Sequence, residues 1–565
     1  MNVVQAIQDY ITKMVESVSG MKVLVMDKET TGIVSLVYSQ SQMLQKEVYL
    51  FERLDNQARE LMAHLKAICF LRPTEENCRM LDAELKRPRY GEYHIFFTNV
   101  ISSNFLEELA EADEHEVVQQ VQEFFGDFYA NTPELFSLNI EHCMALSNKK
   151  KVQMLERTCD GLMAVLLSLK KKPVIRYQKK SDLAQRVGQE VARRMQQEKS
   201  LFDFRKSDTA PLLLILDRRD DPVTPLLHQW TYQAMVHELL GIYNNRVDLK
   251  NVPGIRKELE EVVLSSDQDS FYKSNMYNNF GDLGISIKNL VDEFQSKTQS
   301  NQNIQSIADM KRFVEEYPEF RKLSGNVSKH VAVMGELSRI VEFRSLLDVS
   351  ELEQELACHQ DHAAAVKKLS SMLENPKITK EDCLKLVMLY ALRYEENSSN
   401  KITQFIEKLF DCGLDEDQVG LISALTAYAG ASQRSGDLFG NSNLLRIARS
   451  SIRRGLKGID NIYTEHQPLL RDILESVMAG RMREADYPYI IGSPSKERPE
   501  NVIVFIVGGA TYEEAFTVHQ MNKDTTYGCS IILGGTTIHN SKSFFAELAQ
   551  IRDLNQKSYS GKRNL

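Results

Sequence analysis

LILDRRDDPVTPLLHQWTYQAMVHELL (residues 214–240) is the stretch of this sequence that decides how the chain folds. The apolar run that leads into it, PLLLIL (211–216), stops at Asp217, and a short apolar run closed by polar residues predicts a buried β-strand. Thr224 and Pro225 then mark a helix start, because proline is favoured in the first turn of a helix. The stretch therefore predicts a strand that leads through an acidic turn into a helical region.

The acidic turn after this strand allows two interpretations. Proteins of the α/β class often place metal or phosphate sites at the carboxyl ends of their strands, so Asp217, Asp220 and Asp221 would hold a divalent metal in a hydrolase or phosphotransferase. In the other interpretation, Asp217 and Arg218 cap and pair at the strand end, and Thr224 opens the helix. We favour the structural interpretation, because no set of nucleophile, base and orienting group recurs elsewhere in the chain. We therefore expect no catalytic residue and no metal.

The first part of the chain alternates between helix-like and strand-like segments. Val4, Ile7 and Ile11 recur at helical spacing, and the apolar run MKVLVMD (21–27) follows them. Three more strand-like runs come later, each after a polar or helix-like stretch: EVYLFE (47–52), AICFL (67–71) and YHIFFTNV (93–100). This alternation predicts a parallel sheet covered by helices, since parallel strands need long crossover connections.

A second α/β region is split in the sequence. The strand-like run PVIRYQ (173–178) and the strand that ends at Asp217 form its first part. NVIVFIVGG (501–509) and CSIILGG (529–535) form the second part, near the C-terminus. The long region between the two parts has many helical stripes and few strand signals. We therefore predict a mostly helical domain inserted into an α/β domain.

Composition and charge exclude several classes of protein. With 42% hydrophobic and 26% charged residues, the 565-residue chain is typical of a folded protein too long for one core. Its net charge of −9, with basic residues spread along the chain, argues against a nucleic-acid partner. The eight cysteines show no CxxC pairing, which fits a reduced, cytoplasmic setting. No apolar run approaches the roughly 20 residues of a membrane span, so we expect peripheral membrane association through partners.

The opening stretch closely resembles the signature of the SM family, the syntaxin-binding regulators of SNARE assembly. The resemblance continues in the family's order over nearly the whole chain, through MKVLVMDKETTGIVSLV (21–37), HIFFTN (94–99), YPYI (487–490) and IVFIVGGATYEEA (503–515). It implies a regulator of membrane fusion that is not an enzyme and needs no cofactor. The motifs are most similar to those of members that act in trans-Golgi and endosomal traffic. Within the signature, we expect Glu238 to be a structural joint.

The resemblance implies an arch-shaped SM fold with two parallel-sheet α/β domains and a mostly helical domain inserted into the second. The implied ranges are 1–133 for the N-terminal domain, 134–227 with 484–565 for the discontinuous second domain, and 228–483 for the helical domain. The helical domain would include a hairpin at 300–345. The implied partners are a syntaxin-type SNARE of the trans-Golgi network or endosome and the assembled SNARE complex. Vesicle SNAREs and endosomal tethering factors are further candidate partners, on Golgi or endosomal membranes.

Carried over from the family, a pocket for the N-terminal peptide of syntaxin falls on NFLEELAEADEHEVVQQVQE (104–123). Leu106 matches the apolar wall of the pocket, and Glu123 matches an acidic position. Val118 and Val121 fall on the element that follows the helix. An ordinary helix–strand packing face explains the two valines equally well, so Leu106 and Glu123 are the stronger candidates.

A central cleft that cradles syntaxin is the second site that the resemblance implies. Asp27 and Glu52 match charged positions that contact syntaxin in the neuronal relatives. Three nearby positions, Gly32, Ser39 and Asn56, stand where those relatives have basic residues. We therefore expect a pattern of cleft contacts that differs from the neuronal one.

The third implied site is a helical hairpin that receives a vesicle SNARE. It matches EEYPEFRKLSGNVSKHVAVMGELSRIV (315–341), with Pro318 at the bend and His330 and Val331 at the contact. One helical stripe in this segment is also explained by core packing: Val327, Val331, Met334, Leu337 and Val341. We expect core packing for most of the stripe and a partner contact for Val331.

Overall fold

The computed structural model describes residues 1–143, 148–205, 208–302, 307–436, 438–439, 462–493 and 497–563. The chain divides into two compact units. Unit 1 comprises Met1–Arg218, Asp472–Ala510 and Thr517–Ile538. Unit 2 comprises Arg219–Arg471, Thr511–Phe516 and His539–Leu565.

The helices and strands follow in chain order. The described helices are α1 (Val3–Glu16), α2 (Lys28–Val37), α3 (Gln40–Gln45), α4 (Glu75–Leu85), α5 (Ser103–Ala112), α6 (Asn148–Ser168), α7 (Asp182–Gln197), α8 (Tyr232–Leu239), α9 (Ser270–Asn275), α10 (Phe280–Gln302), α11 (Ile307–Phe343), α12 (Leu346–Cys358), α13 (His362–Leu373), α14 (Lys380–Tyr394), α15 (Ile402–Asp411), α16 (Glu416–Ala429), α17 (Leu469–Met478), α18 (Tyr512–Lys523) and α19 (Ser541–Arg563). The described strands are β1 (Lys22–Met26), β2 (Val48–Arg53), β3 (Met62–Leu71), β4 (Tyr90–Phe97), β5 (Val118–Glu123), β6 (Tyr129–Thr132), β7 (Leu135–Ser137), β8 (Val174–Tyr177), β9 (Leu212–Asp217), β10 (Arg246–Asp248), β11 (Glu261–Val263), β12 (Tyr489–Ile491), β13 (Asn501–Val507), β14 (Ala510–Thr511), β15 (Ser530–Gly535) and β16 (Ile538–His539).

The N-terminal part of unit 1 forms a five-stranded sheet in the order β2-β1-β3-β4-β5. Every neighbouring pair of these strands is parallel, so the predicted alternation of strands and helices is confirmed. All five residues of β1 are buried, as expected for a strand covered on both faces. The strand β5 lies at an edge of the sheet.

A seven-stranded sheet, also in unit 1, has the order β12-β8-β9-β13-β15-β7-β6. Its centre joins segments that are far apart in sequence, because β9 pairs in parallel with β13, with Leu214 opposite Val504. The parallel pairs β8–β9 and β13–β15 extend this centre, and antiparallel pairs lie at both edges. The predicted split α/β region therefore forms one sheet.

One hydrophobic core serves both sheets of unit 1. The helical stripe of α1, including Ile7 and Ile11, belongs to the same buried cluster as Leu24 of β1, Phe136 of β7 and Ile503 of β13. This shared core explains why both sheets belong to one compact unit. In addition, β6 starts before residue 134, the first residue of the expected second domain. The division into three domains stays a prediction.

Unit 2 is mostly helical, with α8 to α16 and a two-stranded antiparallel sheet of β10 and β11. Its buried cluster includes Tyr232, Leu283 and Leu337, which lie on α8, α10 and α11. The helices α10 and α11 pack together, and the rings of Phe294 and Phe320 stack at 5.4 Å. The segment between them, residues 303–306, lies outside the described residues. The predicted excess of helical over strand signals in this region is confirmed.

Candidate functional site

The predicted peptide pocket lies at the edge of the five-stranded sheet, where α5 precedes β5. Ser102 caps this helix by accepting a hydrogen bond from the Phe105 N–H at 3.4 Å. Leu106 on the helix is 37% exposed, and Val121 on the strand is 38% exposed. The structure therefore presents one large apolar side chain to solvent on each of the two predicted pocket elements.

Glu123 and Val118 both interact with other residues of the N-terminal sheet region: Glu123 through a hydrogen bond and Val118 through packing. The Oε1 atom of Glu123 accepts a hydrogen bond from the Ile101 N–H at 2.9 Å, which ties the end of β5 to the segment before α5. Val118 is partly buried and packs against the cluster that contains Leu109. Packing thus accounts for Val118, whereas Val121 keeps an exposed apolar surface.

Val100 is an exposed residue of this region that sequence reasoning missed. It is 38% exposed and directly precedes Ile101, the residue tied to Glu123. The sequence YHIFFTNV predicts one strand to residue 100, but β4 ends at Phe97. Where the chain leaves the sheet depends on the backbone, and the apolar pattern alone did not indicate it.

Asp27 and Glu52, the predicted cleft residues, differ in exposure. Asp27 is 5% exposed, and its carboxylate accepts four hydrogen bonds of 2.7 to 3.0 Å from Thr30, Arg72 and Asn77. Burial raises the pKa of Asp27, and the bonds from Arg72 and Thr30 oppose that rise. This carboxylate caps α2, whereas Glu52 on β2 is only half-buried. A syntaxin contact at either residue stays a prediction.

His330 on α11 is fully buried. Its Nε2 lies 2.9 Å from Asp269 Oδ2, and its Nδ1 lies 2.8 Å from the Tyr232 hydroxyl oxygen. Burial lowers the pKa of His330 and Asp269 opposes this. Burial also raises the pKa of Asp269, but His330 and Lys329 outweigh it and hold that pKa well below its usual value. A partner would reach His330 only if the helix moved, so its predicted contact stays a prediction.

Val331, the next residue on α11, is 43% exposed. Leu337 and Val341 of the same predicted stripe are buried, as a core interpretation requires. Pro318 lies inside α11, which continues through that position, so Pro318 does not end the helix; its side chain lies outside the described part. Val331 is therefore the residue of the predicted hairpin contact that faces solvent.

The aspartates at the end of β9 and in the turn that follows accept hydrogen bonds from other residues of the protein. Asp217 Oδ2 accepts a hydrogen bond from Ser181 Oγ at 2.6 Å. Asp221 accepts two bonds from Thr224, from its N–H at 3.0 Å and from its hydroxyl at 2.6 Å.

These bonds support the structural interpretation of the turn. Thr224 starts a three-residue 3-10 helix that has Pro225 in its first turn, whereas the α-helix expected to open here begins only at Tyr232. Asp220 accepts a bond from the Ser435 N–H at 3.0 Å, and the Arg218 side chain is 2% exposed.

Glu238 lies in a buried cluster of charges in unit 2. Its Oε1 is 3.3 Å from Lys385 Nζ, and its Oε2 accepts a hydrogen bond from the Ser541 N–H at 2.9 Å. Burial raises the pKa of Glu238, but the Lys385 charge, His228 and the Ser541 donors outweigh it and hold the pKa at about 2. Lys385 Nζ is also 3.6 Å from Glu353 Oε1. Glu238 on α8 thus contacts the side chain of Lys385 on α14 and the backbone at the start of α19, and its role as a structural joint stays a prediction.

Three members of this cluster were not identified from the sequence: His228, Glu353 and Lys385. They lie on separate segments, and His228 Nδ1 reaches Glu353 Oε1 at 2.8 Å. One signal was available, because Lys385 interrupts the otherwise apolar run CLKLVMLYAL (383–392) of α14. A buried lysine in an apolar helix needs a carboxylate partner.

Two general features of the described ranges concern metals and membranes. No three histidine, cysteine, aspartate or glutamate side chains among the described residues are grouped so as to hold a metal ion. None of the helices in this part of the chain combines the length and the apolar composition that crossing a membrane requires.

Comparisons with known proteins agree with the signature. The model of the Sec1 family matches residues 22–547. The chain is 56% identical over 550 residues to vacuolar protein sorting-associated protein 45 of Mus musculus, which covers 97% of this chain and 96% of the relative. It is 51% identical over 563 residues to the protein of the same name from Dictyostelium discoideum, with coverage of 100% and 99%.

A solved structure supports the same assignment. It is described as the SM protein Vps45 in complex with the Qa SNARE Tlg2 (1-310), and it matches with a TM-score of 0.90 and 49% identity. The match covers 98% of this chain and 99% of that chain, which confirms the predicted SM fold class. Sequence, fold and length of match agree, and the chain belongs to the Sec1 family.

Proposed function

We propose that this protein binds a syntaxin-type SNARE and promotes SNARE assembly during vesicle fusion in trans-Golgi and endosomal traffic. The observation that carries the proposal is the similarity, over 98% of the chain, to a protein solved in complex with a Qa SNARE. The partly exposed Leu106 and Val121 support the proposal, because they add apolar surface to the segment that the family resemblance implies for binding the N-terminal peptide. The protein would act at the cytoplasmic side of Golgi or endosomal membranes, where it is held by its partners.

The proposed action is binding, without a catalysed reaction. Helices are costly to nucleate, and a surface that holds one SNARE helix in place lowers that cost for the helices that join it. The same surface selects partners, because a wrong SNARE leaves charges unpaired or apolar groups exposed. The carboxylates of Asp217, Asp220 and Asp221 are engaged by groups of the protein, which supports a structural role for the turn.

The proposed peptide site combines Leu106 and Val121 with the carboxylate of Glu123. An apolar side chain of the peptide would cover the exposed parts of Leu106 and Val121. Glu123 stabilises the shape of the site, because its hydrogen bond from the Ile101 N–H fixes the segment that leads into α5. Glu123 thus contributes mainly to the shape of the site, and Leu106 contributes mainly to affinity.

The test measures peptide binding to the full-length chain. The N-terminal peptide of an endosomal Qa SNARE is titrated by calorimetry into the wild-type chain and into Leu106→Arg. An arginine at this position places a charge in the apolar contact, so we expect affinity to fall by roughly tenfold or more, with unchanged thermal stability.

The matched control is Leu61→Arg, which changes a leucine of unit 1 that is 73% exposed and lies outside the proposed site. It should leave the affinity unchanged. Wild-type affinity in a folded Leu106→Arg chain would remove Leu106 from the site. A pull-down of the whole Qa SNARE, with and without its first residues, then separates the peptide site from other contacts.

A further inference from the structure

Two cysteines of unit 2 lie side by side although they are far apart in sequence. The Cys383 and Cys412 thiols lie close enough to interact, because α14 and α15 pack against each other. Cys383 lies in the first turn of α14, and Cys412 directly follows α15 as its C-cap residue. The Cys412 Sγ also reaches the Leu373 carbonyl oxygen, at 3.2 Å. The fold has therefore placed two thiols next to each other.

Other contacts hold the same two chain segments together. Lys380 Nζ donates to the Gly413 carbonyl oxygen at 2.5 Å, so the residue after Cys412 is bound to the start of α14. Further along the same two helices, the rings of Tyr390 on α14 and Phe405 on α15 pack edge to face at 4.8 Å. The approach of the two thiols is thus a consequence of helix packing.

The two thiols differ in access to solvent. Cys383 is 2% exposed, whereas Cys412 is half-buried. Burial raises the pKa of Cys383 to about 12, and the neighbouring Cys412 adds to this rise. Cys383 is therefore a protonated thiol at neutral pH and a poor first nucleophile. Of the two, Cys412 is the thiol that a small oxidant in solution can reach.

We propose that Cys383 and Cys412 are a dithiol modification site that a peroxide oxidises to an intramolecular disulfide. In the first step, the Cys412 sulfur attacks one peroxide oxygen, the O–O bond breaks, and a sulfenic acid and one water form. In the second step, the Cys383 sulfur attacks the Cys412 sulfur, the S–O bond breaks, and a second water leaves with the Cys383 proton. Two thiols and one peroxide thereby give one disulfide and two waters.

The disulfide would join the start of α14 to the end of α15. A covalent link between two packed helices removes the local openings in which these elements separate. Oxidation therefore makes this part of unit 2 more resistant to unfolding. This inference concerns the residues of unit 2 alone and does not rest on the proposed SNARE binding.

The experiment maps cysteine oxidation in the full-length chain. The reduced protein is treated with hydrogen peroxide, remaining thiols are alkylated under denaturing conditions, and peptides are identified by mass spectrometry without reduction. We expect a disulfide-linked pair of peptides that carry Cys383 and Cys412. The link should disappear in Cys412→Ser and in Cys383→Ser.

The matched control is Cys358→Ser, which removes another half-buried cysteine of unit 2 and should leave the link intact. Oxidation of Cys412 to its sulfonic acid, with Cys383 still alkylated, would overturn the proposal. A disulfide from Cys412 to any other cysteine would overturn it as well.

A second measurement tests whether the disulfide changes the thermal stability of the protein. Melting temperatures are compared for the reduced, the peroxide-treated and the re-reduced protein. We expect a rise of a few degrees after oxidation that dithiothreitol reverses and that neither serine variant shows. A melting temperature that falls after oxidation, or a rise that persists in Cys412→Ser, would contradict the proposed stabilising link.

Discussion

The edge formed by α5 and β5 exposes apolar side chains, whereas the cluster around Glu238 buries charged ones. At the edge, the apolar side chains of Leu106 and Val121 are partly exposed to solvent. In the cluster, the charged side chain of Lys385 is buried and that of Glu238 is largely buried, and the two are 3.3 Å apart. Both arrangements reverse the usual preference of these residues. The edge is therefore a surface suited to contact with a partner, and the cluster is suited to holding helices together.

Two adjacent residues of α11 repeat this contrast on a smaller scale. His330 is fully buried between Asp269 and Tyr232, whereas Val331 is 43% exposed. The polar residue supports the helix from within, and the apolar residue is available outside. Changes at buried polar positions should therefore alter stability, and changes at exposed apolar positions should alter binding.

The largest expected loss of stability comes from Glu238→Lys. This change places a second positive charge beside Lys385 and leaves Ser541 without its acceptor. Breaking a buried ion pair in this way costs about 3 to 5 kcal/mol, so we expect a sharply lower free energy of unfolding. Urea denaturation monitored by circular dichroism measures this. The control is Glu407→Lys on α15, where the glutamate is exposed; equal losses in both variants would contradict the role of the cluster.

A smaller loss is expected from Thr224→Asn. Thr224 is 1% exposed and gives two hydrogen bonds to Asp221, and asparagine cannot place a hydroxyl at the same position. A buried acceptor that loses a partner costs about 1 to 3 kcal/mol. Thr224→Ser keeps the hydroxyl and should recover most of the stability in the same denaturation experiment. A wild-type unfolding curve for Thr224→Asn, combined with lost SNARE binding, would show that Thr224 acts in recognition.

The smallest effect on stability is expected from Val331→Asp. Val331 is 43% exposed, so the new carboxylate stays solvated, and the free energy of unfolding should change by only about 0.5 kcal/mol. If α11 receives a vesicle SNARE, the charge should nevertheless abolish stimulation of SNARE-dependent liposome fusion. Binding of the N-terminal peptide at Leu106 should persist, because sites without shared partners behave independently.

The control for this variant is Phe410→Asp, which changes another exposed apolar residue of unit 2, 45% exposed on α15. It should leave fusion stimulation unchanged. Full stimulation by a folded Val331→Asp chain would exclude Val331 as the docking point. A large drop in stability would instead show that Val331 contributes to the core.

Sequence patterns were enough to predict many of the helices and strands and the class of fold. The apolar runs before Asp217 and around Leu24 became buried strands of two sheets, and the stripe of Ile7 and Ile11 became the buried face of α1. The pairing of the central sheet across a long insertion was also predictable, because two α/β parts flanked a helical region. Strand ends were less predictable, as the exposed Val100 beyond β4 illustrates.

The sequence by itself determined the alternation of strands and helices, the family signature and the positions that carry it, because side-chain periods of two and of about 3.6 residues are local properties. Only the tertiary structure decided which of the carboxylates are buried and which residues partner them. Glu238 meets Lys385 and Ser541, and Cys383 meets Cys412, across long stretches of chain. The physical reason is that burial and charge pairing depend on distances set by helix packing, which no local period encodes.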